Sequence, residues 1–200
     1  PTKTGYLFNG WKGAPVATTM PAQALTYEAL WKPDPNTPYA VHHYQLNLDG
    51  SRPATPTEIE NFTGTTGNPV TPMVKTYEGF TSPAPKTVTI AADGSTIVEY
   101  EYTRKTYTLT WVTDGNALTG SYTKGGVLYG TSIVAPNTPT KTGYTFAGWN
   151  ETVPATMPAT NKTFTATWDA KQYTITLDKQ GGTGGTSSVL VTFDQTLPTI

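Results

Sequence analysis

Between its turn clusters the chain alternates apolar and polar side chains with period two, which predicts strands with one buried face. Tyr107, Leu109 and Trp111 share a face, with Thr108 and Thr110 opposite. Phe164, Ala166 and Trp168 alternate with Thr163, Thr165 and Thr167, and Val98, Tyr100 and Tyr102 with Ile97, Glu99 and Glu101. Aromatics inward and Thr or Glu outward suit antiparallel sheets wetted on one side. Turns are predicted at Asp49-Gly50, Asp93-Gly94, Asp114-Gly115, Gly125-Gly126 and the glycine stretch 181–185. Alternation fails at Ala147-Gly148, where a bulge would re-aim Trp149 into the core. Hardly any stretch reads helical.

The pattern also repeats. PTKTGYLFNGW at Pro1 returns as PTKTGYTFAGW at Pro139, carrying Gly5 to Gly143, Tyr6 to Tyr144, Phe8 to Phe146 and Trp11 to Trp149. After one deleted residue, Met20-Pro21-Ala22 falls on Met157-Pro158-Ala159, and Tyr27, Ala29 and Trp31 fall on Phe164, Ala166 and Trp168. KQYTITL from Lys171 lies on KTYTLTW from Lys105, pairing Tyr173 with Tyr107, Ile175 with Leu109 and Leu177 with Trp111. The expected division is a C-terminal half-unit at 1–31, a stiff proline-rich linker at 32–38, a module at 39–104, a whole repeat unit at 105–169 and an N-terminal half-unit at 170–200. The expected core is Tyr6, Phe8, Trp11, Tyr27, Trp31, Tyr107, Leu109, Trp111, Tyr144, Phe146, Trp149, Phe164, Trp168, Tyr173 and Ile175.

Written directly before Pro1, the stretch FDQTLPTI that ends at Ile200 reads like the segment preceding Pro139. This predicts one period of a longer head-to-tail arrangement, cut inside a unit. The expected partners are therefore neighbouring copies of the same block, joined either as one tandem polypeptide or by strand complementation between separate chains.

Composition sharpens this reading by exclusion. Charged residues are 14%, aromatics 12% and Thr about a fifth of the chain, with 19 Gly and 17 Pro. A net charge of −1 gives no basic field for nucleic acid or anionic lipid, and no apolar run reaches the length of a membrane-spanning helix. The absence of cysteine excludes disulfides, thiolate metal sites and a cysteine nucleophile. No nucleic acid, membrane insertion or cofactor is expected.

Catalytic chemistry finds little to stand on, and no enzyme is expected. His42 and His43 are the only histidines, and neighbours on a strand face opposite ways, so a structural role is expected. Glu99 and Glu101 resemble a carboxylate pair but read better as neighbours on a wet face. The glycine stretch 181–185 opens no helix, so a phosphate cradle lacks its setting. Lys75, Lys105 and Lys171 flank strands and are candidates for a self-generated isopeptide bond, if one is buried. Asn61, Asn150 and Asn161 head glycosylation-type triplets of a kind that a Thr-rich chain produces by chance. Trp11, Trp31, Trp111, Trp149 and Trp168 could stack on sugars but fall on the apolar phase of their strands, which favours packing.

GYTFAGW at 143–149, preceded by PTKT and followed by MPATNKTFTATW, resembles the Listeria/Bacteroides repeat family, also called internalin B-repeat-like. The resemblance covers 105–169 and extends to the two halves. YAVHHYQLNLDG, VTPMVKTYEGF and GSTIVEYEYTR, within 39–104, resemble a mucin-binding-type repeat. Both resemblances imply small β-grasp-like sheets. The expected fold class is thus all-β to β-rich α+β, in tandem modules arranged as beads on a string. The resemblance further implies an extracellular bacterial protein, surface-bound or secreted, in which this segment is an adhesin stalk or fibre. The alternative is a module at 39–104 that binds a host glycan or protein.

Overall fold

The computed structural model describes residues 1–13, 16–113, 116–117 and 124–199. Among them every regular element is a strand, so the all-β side of the expectation holds. The predicted turn at Asp114-Gly115 and residue Ile200 lie outside the described residues. The chain divides into two units, Pro1–Lys105 and a second beginning at Thr106.

The first unit opens with β1 (Tyr6–Trp11) and β2 (Ala29–Pro33), a two-stranded antiparallel sheet. Then come β3 (Thr37–Gln45), β4 (Glu58–Gly64), β5 (Pro69–Val70), β6 (Phe80–Thr81), β7 (Val88–Thr89) and β8 (Ile97–Arg104). β4, β3, β8 and β6 form one sheet in that order, and β5 pairs with β7. Val41, Val98, Tyr100, Tyr102, Phe80 and Ile90 fill its core, as the period-two pattern requires.

The second unit contains β9 (Thr106–Thr113), β10 (Asn116–Ala117), β11 (Lys124–Leu128), β12 (Tyr144–Trp149) and β13 (Lys162–Ala170). β13 lies beside β9, with β12 on the outer side of β13 and both β10 and β11 on the outer side of β9. Leu109, Trp111, Met157 and Phe164 are its buried centre. Trp111 packs against Phe164 and edge-on against Trp149, each at 4.7 Å between ring centres. β14 (Gln172–Thr176) and β15 (Ser188–Thr192) then make a further two-stranded sheet.

Both larger sheets are wired alike. The first strand lies at the centre, antiparallel to the second and parallel to the last, and the last carries the remaining strand on its outer edge. The parallel centre departs from the expected antiparallel pairing. Alternation reveals which face of a strand is buried, but it carries no information on the direction of the neighbour.

Two of the three two-stranded sheets, β1 with β2 and β14 with β15, copy pieces of this wiring. β1 on β2 repeats the register of β12 on β13: Tyr6 faces Pro33 and Phe8 faces Trp31, as Tyr144 faces Ala170 and Phe146 faces Trp168. Both hairpins shift register after the phenylalanine, where Gly10 and Gly148 have positive φ, so the predicted bulge is present twice. β14 on β15 likewise repeats β9 on β11, with Tyr173 opposite Val191 as Tyr107 is opposite Val127. Gly125-Gly126, predicted as a turn, lies inside β11 at its register shift, because a glycine pair also serves where a strand absorbs an extra residue.

Lys32–Pro38, expected as a linker, also differs. Its ends are strand, and only Asp34–Asn36 remain as a turn fixed by the Asn36 amide donating to Asp34 Oδ1 at 2.9 Å. Thr37 and Thr66 hydroxyls meet at 2.6 Å in the interior, and the Thr66 amide donates to the Asp34 carbonyl. Proline suits a linker, but it also suits the ends of strands, and here the strands took it.

One connecting device recurs. The amides of Asp34, Lys105 and Lys171 donate to the carbonyls of Gly5, Gly79 and Gly143 at 2.9, 2.8 and 2.9 Å. Each of these glycines has φ near the left-handed region and sits in a turn closed by the following aromatic residue. A side chain at Gly5 would overlap Ala92, and one at Gly143 would overlap the Phe193 ring. The bare glycine face is thus the seat for the next stretch of chain.

Candidate functional site

A groove of about 670 Å³ lies in the first unit, lined by Tyr39, Glu60, Phe62, Pro72, Met73, Val74, Lys75 and Thr76. β3 and β4 place Tyr39 directly opposite Phe62, and the two rings stack at 5.5 Å. Phe62 and Met73 are exposed on its wall. Charge enters from β4, whose Glu58 and Glu60 lie on the same face as Phe62.

These carboxylates form a network. Lys75 Nζ is paired with Glu58 and, at 2.9 Å, with Glu60. Tyr77 donates to Glu58 at 2.8 Å. His43 is wholly buried, with Nε2 3.0 Å from Glu60 and Nδ1 2.8 Å from the Tyr102 hydroxyl. The Lys75 amide donates to that hydroxyl at 3.0 Å, so the tyrosine proton is free for His43 Nδ1, and Nε2–H then serves Glu60. Hydrogen bonding to Lys75 holds both carboxyls below their ordinary range, and the same pairing raises Lys75. Burial, helped by Glu58, raises Tyr77. Such a cluster fixes the 72–77 segment over the core and presents one cation between two anions at the groove wall.

A smaller groove occurs twice, at corresponding positions. Pro1–Thr4 with Tyr6, Phe8 and Trp31 line one of about 440 Å³, and Pro139–Lys141 with Tyr144, Phe146 and Trp168 line one of about 280 Å³. Lys3 and Lys141 lie over the Tyr6 and Tyr144 rings at 4.2 and 4.4 Å. The buried Trp168 Nε1 has no hydrogen-bond partner. The repeated PTKTGY motif is accounted for as the turn, glycine seat and cation–aromatic contact that start a strand.

His42 and His43 do face opposite ways: His43 is in the core, and His42 packs against Tyr44. Glu99 and Glu101 share a face, but Arg52 lies between them, paired with Glu99 and 3.7 Å from Glu101, with its guanidinium 3.7 Å from the Tyr44 ring centre. Arg52 holds the Glu99 carboxyl below its usual range. A pair neutralised in this way is suited to structure rather than proton transfer. Lys75 is half-buried, and Lys105 and Lys171 are exposed.

Of the expected core, Leu109, Trp111 and Phe164 are buried, with Tyr107 and Trp149 packed against them. Tyr144, Phe146 and Trp168 are half-buried, as are Tyr6, Trp11, Tyr27, Trp31 and Ile175. Phe8 and Tyr173 are exposed instead, and each lies in a two-stranded sheet, which buries little apolar surface by itself. Sequence reasoning missed the Tyr39–Phe62 stack and the Glu58–Glu60–Lys75 cluster. The i, i+2 spacing of the two glutamates was a visible signal, but their common partner comes from a loop 15 residues on.

These features define a repeat protein of small β-modules. Residues 107–172 match the family model of the Listeria-Bacteroides repeat domain, a domain found in bacterial surface proteins. No curated protein matches the chain.

Proposed function

We propose that this chain is a structural segment of an extracellular bacterial surface protein, an adhesin stalk or fibre of serial β-grasp-like modules. In this reading 39–104 is a mucin-binding-type repeat, 105–169 a complete Listeria/Bacteroides-type repeat, and 1–31 and 170–200 are repeat halves. One observation carries the reading: in both large sheets the first and last strands are central, adjacent and parallel. Tension applied to the two ends of such a module pulls these strands in opposite directions along their length. The ladder's hydrogen bonds are then loaded together in shear, whereas a hairpin pulled at its open end loses them one at a time.

Pulling the full chain by its ends tests this. Two discrete unfolding events are expected, each releasing on the order of 200 Å of chain. Smooth extension without events would overturn the mechanical reading. Labelling of intact cells by antibodies to 124–170 is expected, and labelling only after permeabilisation would overturn the surface assignment.

A second reading is supported by the groove at Tyr39 and Phe62, an exposed aromatic face beside Glu60 and Lys75 of the kind on which a sugar ring stacks. Glycan-array binding by the full chain that is lost in Phe62→Ala would establish it, and silence on the array would leave the shaft reading alone.

A further inference from the structure

In the complete module the parallel ladder joins four residue pairs: Leu109 with Lys162, Thr110 with Thr163, Trp111 with Phe164 and Val112 with Thr165. The same positions in the two small sheets are Ile175–Asp178 and Leu25–Glu28, by the correspondences of Tyr173 with Tyr107 and of Tyr27 with Phe164. Strand is missing at 25–28 and at 177–178, while Ile175 and Thr176 belong to β14 and pair with Val189 and Ser188 on its other side. β13 starts at Lys162, but β2 starts only at Ala29; β9 runs to Thr113, but β14 stops at Thr176. Each hairpin keeps the pairing internal to it, and its strand begins after, or ends part-way along, the stretch by which its counterpart joins the other half.

The side chains agree with the backbone. Met157 is fully buried in the complete module, and its equivalent Met20 is 75% exposed. Ile133 packs on the buried centre, while Leu197, at the corresponding place after β15, is 62% exposed. Leu25 is exposed and Leu177 half-buried, although Leu177 stands where Trp111 is buried. Apolar side chains of one hairpin are thus uncovered at the positions that, in the complete module, meet the other half.

We propose that a second copy of this chain supplies the missing half. Residues 25–28 of one copy add in parallel to 175–178 of the next, with Leu25 opposite Ile175, Thr26 opposite Thr176, Tyr27 opposite Leu177 and Glu28 opposite Asp178. Met20 and Leu197 close over the joined sheet as Met157 and Ile133 do in the complete module. The interface is heterologous, so each copy uses two different surfaces and the copies associate head to tail, as a line or as a closed ring. Glu28 opposite Asp178 is the one unfavourable pair, on the wet face, where Lys12 already holds Glu28 at 2.8 Å. The inference rests on the serial-module reading only for its template.

The chain has no cysteine, so the register can be trapped. Full-length Thr26→Cys and Thr176→Cys variants, mixed and oxidised, are expected to give a disulfide-linked heterodimer at least tenfold faster than Thr26→Cys mixed with Thr174→Cys. Wild type is expected to show sedimentation that rises with concentration, and Tyr27→Asp with Leu177→Asp to abolish this while the far-ultraviolet spectrum of β structure persists. Equal trapping in the two mixtures, concentration-independent monomers, or closure within a single Thr26→Cys/Thr176→Cys chain would each overturn the proposal. None of these results bears on labelling of intact cells, so the surface reading stands or falls separately.

Discussion

Met157 and Met20 occupy the same place in the same Met-Pro-Ala motif, yet the first is fully buried and the second largely exposed. Phe164 and Tyr27 differ in the same sense, and so do Trp111 and Leu177. The strand pairing around them is not what differs, because β1 on β2 keeps the register of β12 on β13. The β9–β13 sheet has the central parallel ladder, which brings two hairpins into one sheet with a common core; the β1–β2 and β14–β15 sheets lack it. A hairpin specifies its register locally through turn, bulge and cross-strand aromatics, but it cannot bury its own apolar face.

The sharpest way to break this comparison is to shorten both methionines. Met157→Ala should destabilise the complete module by about 2–5 kcal/mol, whereas Met20→Ala in dilute wild-type-like chain should change unfolding by less than about 0.5 kcal/mol. Urea titration followed by Trp fluorescence checks this, and equal effects would mean the hairpin already has a core. Next in size is the glycine seat. Gly143→Ala meets both a positive φ and the Phe193 ring and should cost about 1–3 kcal/mol, while Gly13→Ala, with positive φ but open space, should cost less. Calorimetry of the two variants ranks them.

Force sharpens the comparison among the sheets themselves. The β3–β8 ladder pairs six residues on each strand and the β9–β13 ladder four, so the β3–β8 sheet should yield at the higher force, and the hairpins at forces below either. The smallest expected effect is that of acid. Glu58 and Glu60 have folded values below the ordinary 4.5, so their contribution is whole only at pH well above 4.5 and is lost as pH falls from there through the depressed values. NMR shifts of Tyr77 and His43 should move in that window before the Leu109–Phe164 cluster responds.

Much of the fold is legible in particular residues. Val98, Tyr100 and Tyr102 against Ile97, Glu99 and Glu101 fix the faces of β8, and the failed alternation at Ala147-Gly148 gives the bulge of β12. Asp49-Gly50 and Asp93-Gly94 are turns because Asp accepts from the Ser two residues on, at 2.9 and 3.0 Å, while Gly takes the positive φ. The Tyr39–Phe62 groove was not legible, because it depends on the register of β3 on β4 and on a loop that carries Lys75 back over that edge. Nor was the strand character of Lys32–Pro38, since proline marks linkers and strand ends alike.

By itself the sequence determined the repeat, the inward and outward face of each strand, and the equivalence of Met20 with Met157 and of Leu177 with Trp111, all of them local or periodic properties of side chains along one line. Tertiary structure alone decided that the first and last strands of each module lie side by side and parallel, that Lys75 sits between Glu58 and Glu60, and which equivalent residues are buried. Direction and neighbourhood come from long-range pairing, where the backbone hydrogen bonds that define the ladder are the same for every residue type. A one-dimensional pattern therefore fixes what each strand can bury, and the assembled sheet fixes what it meets.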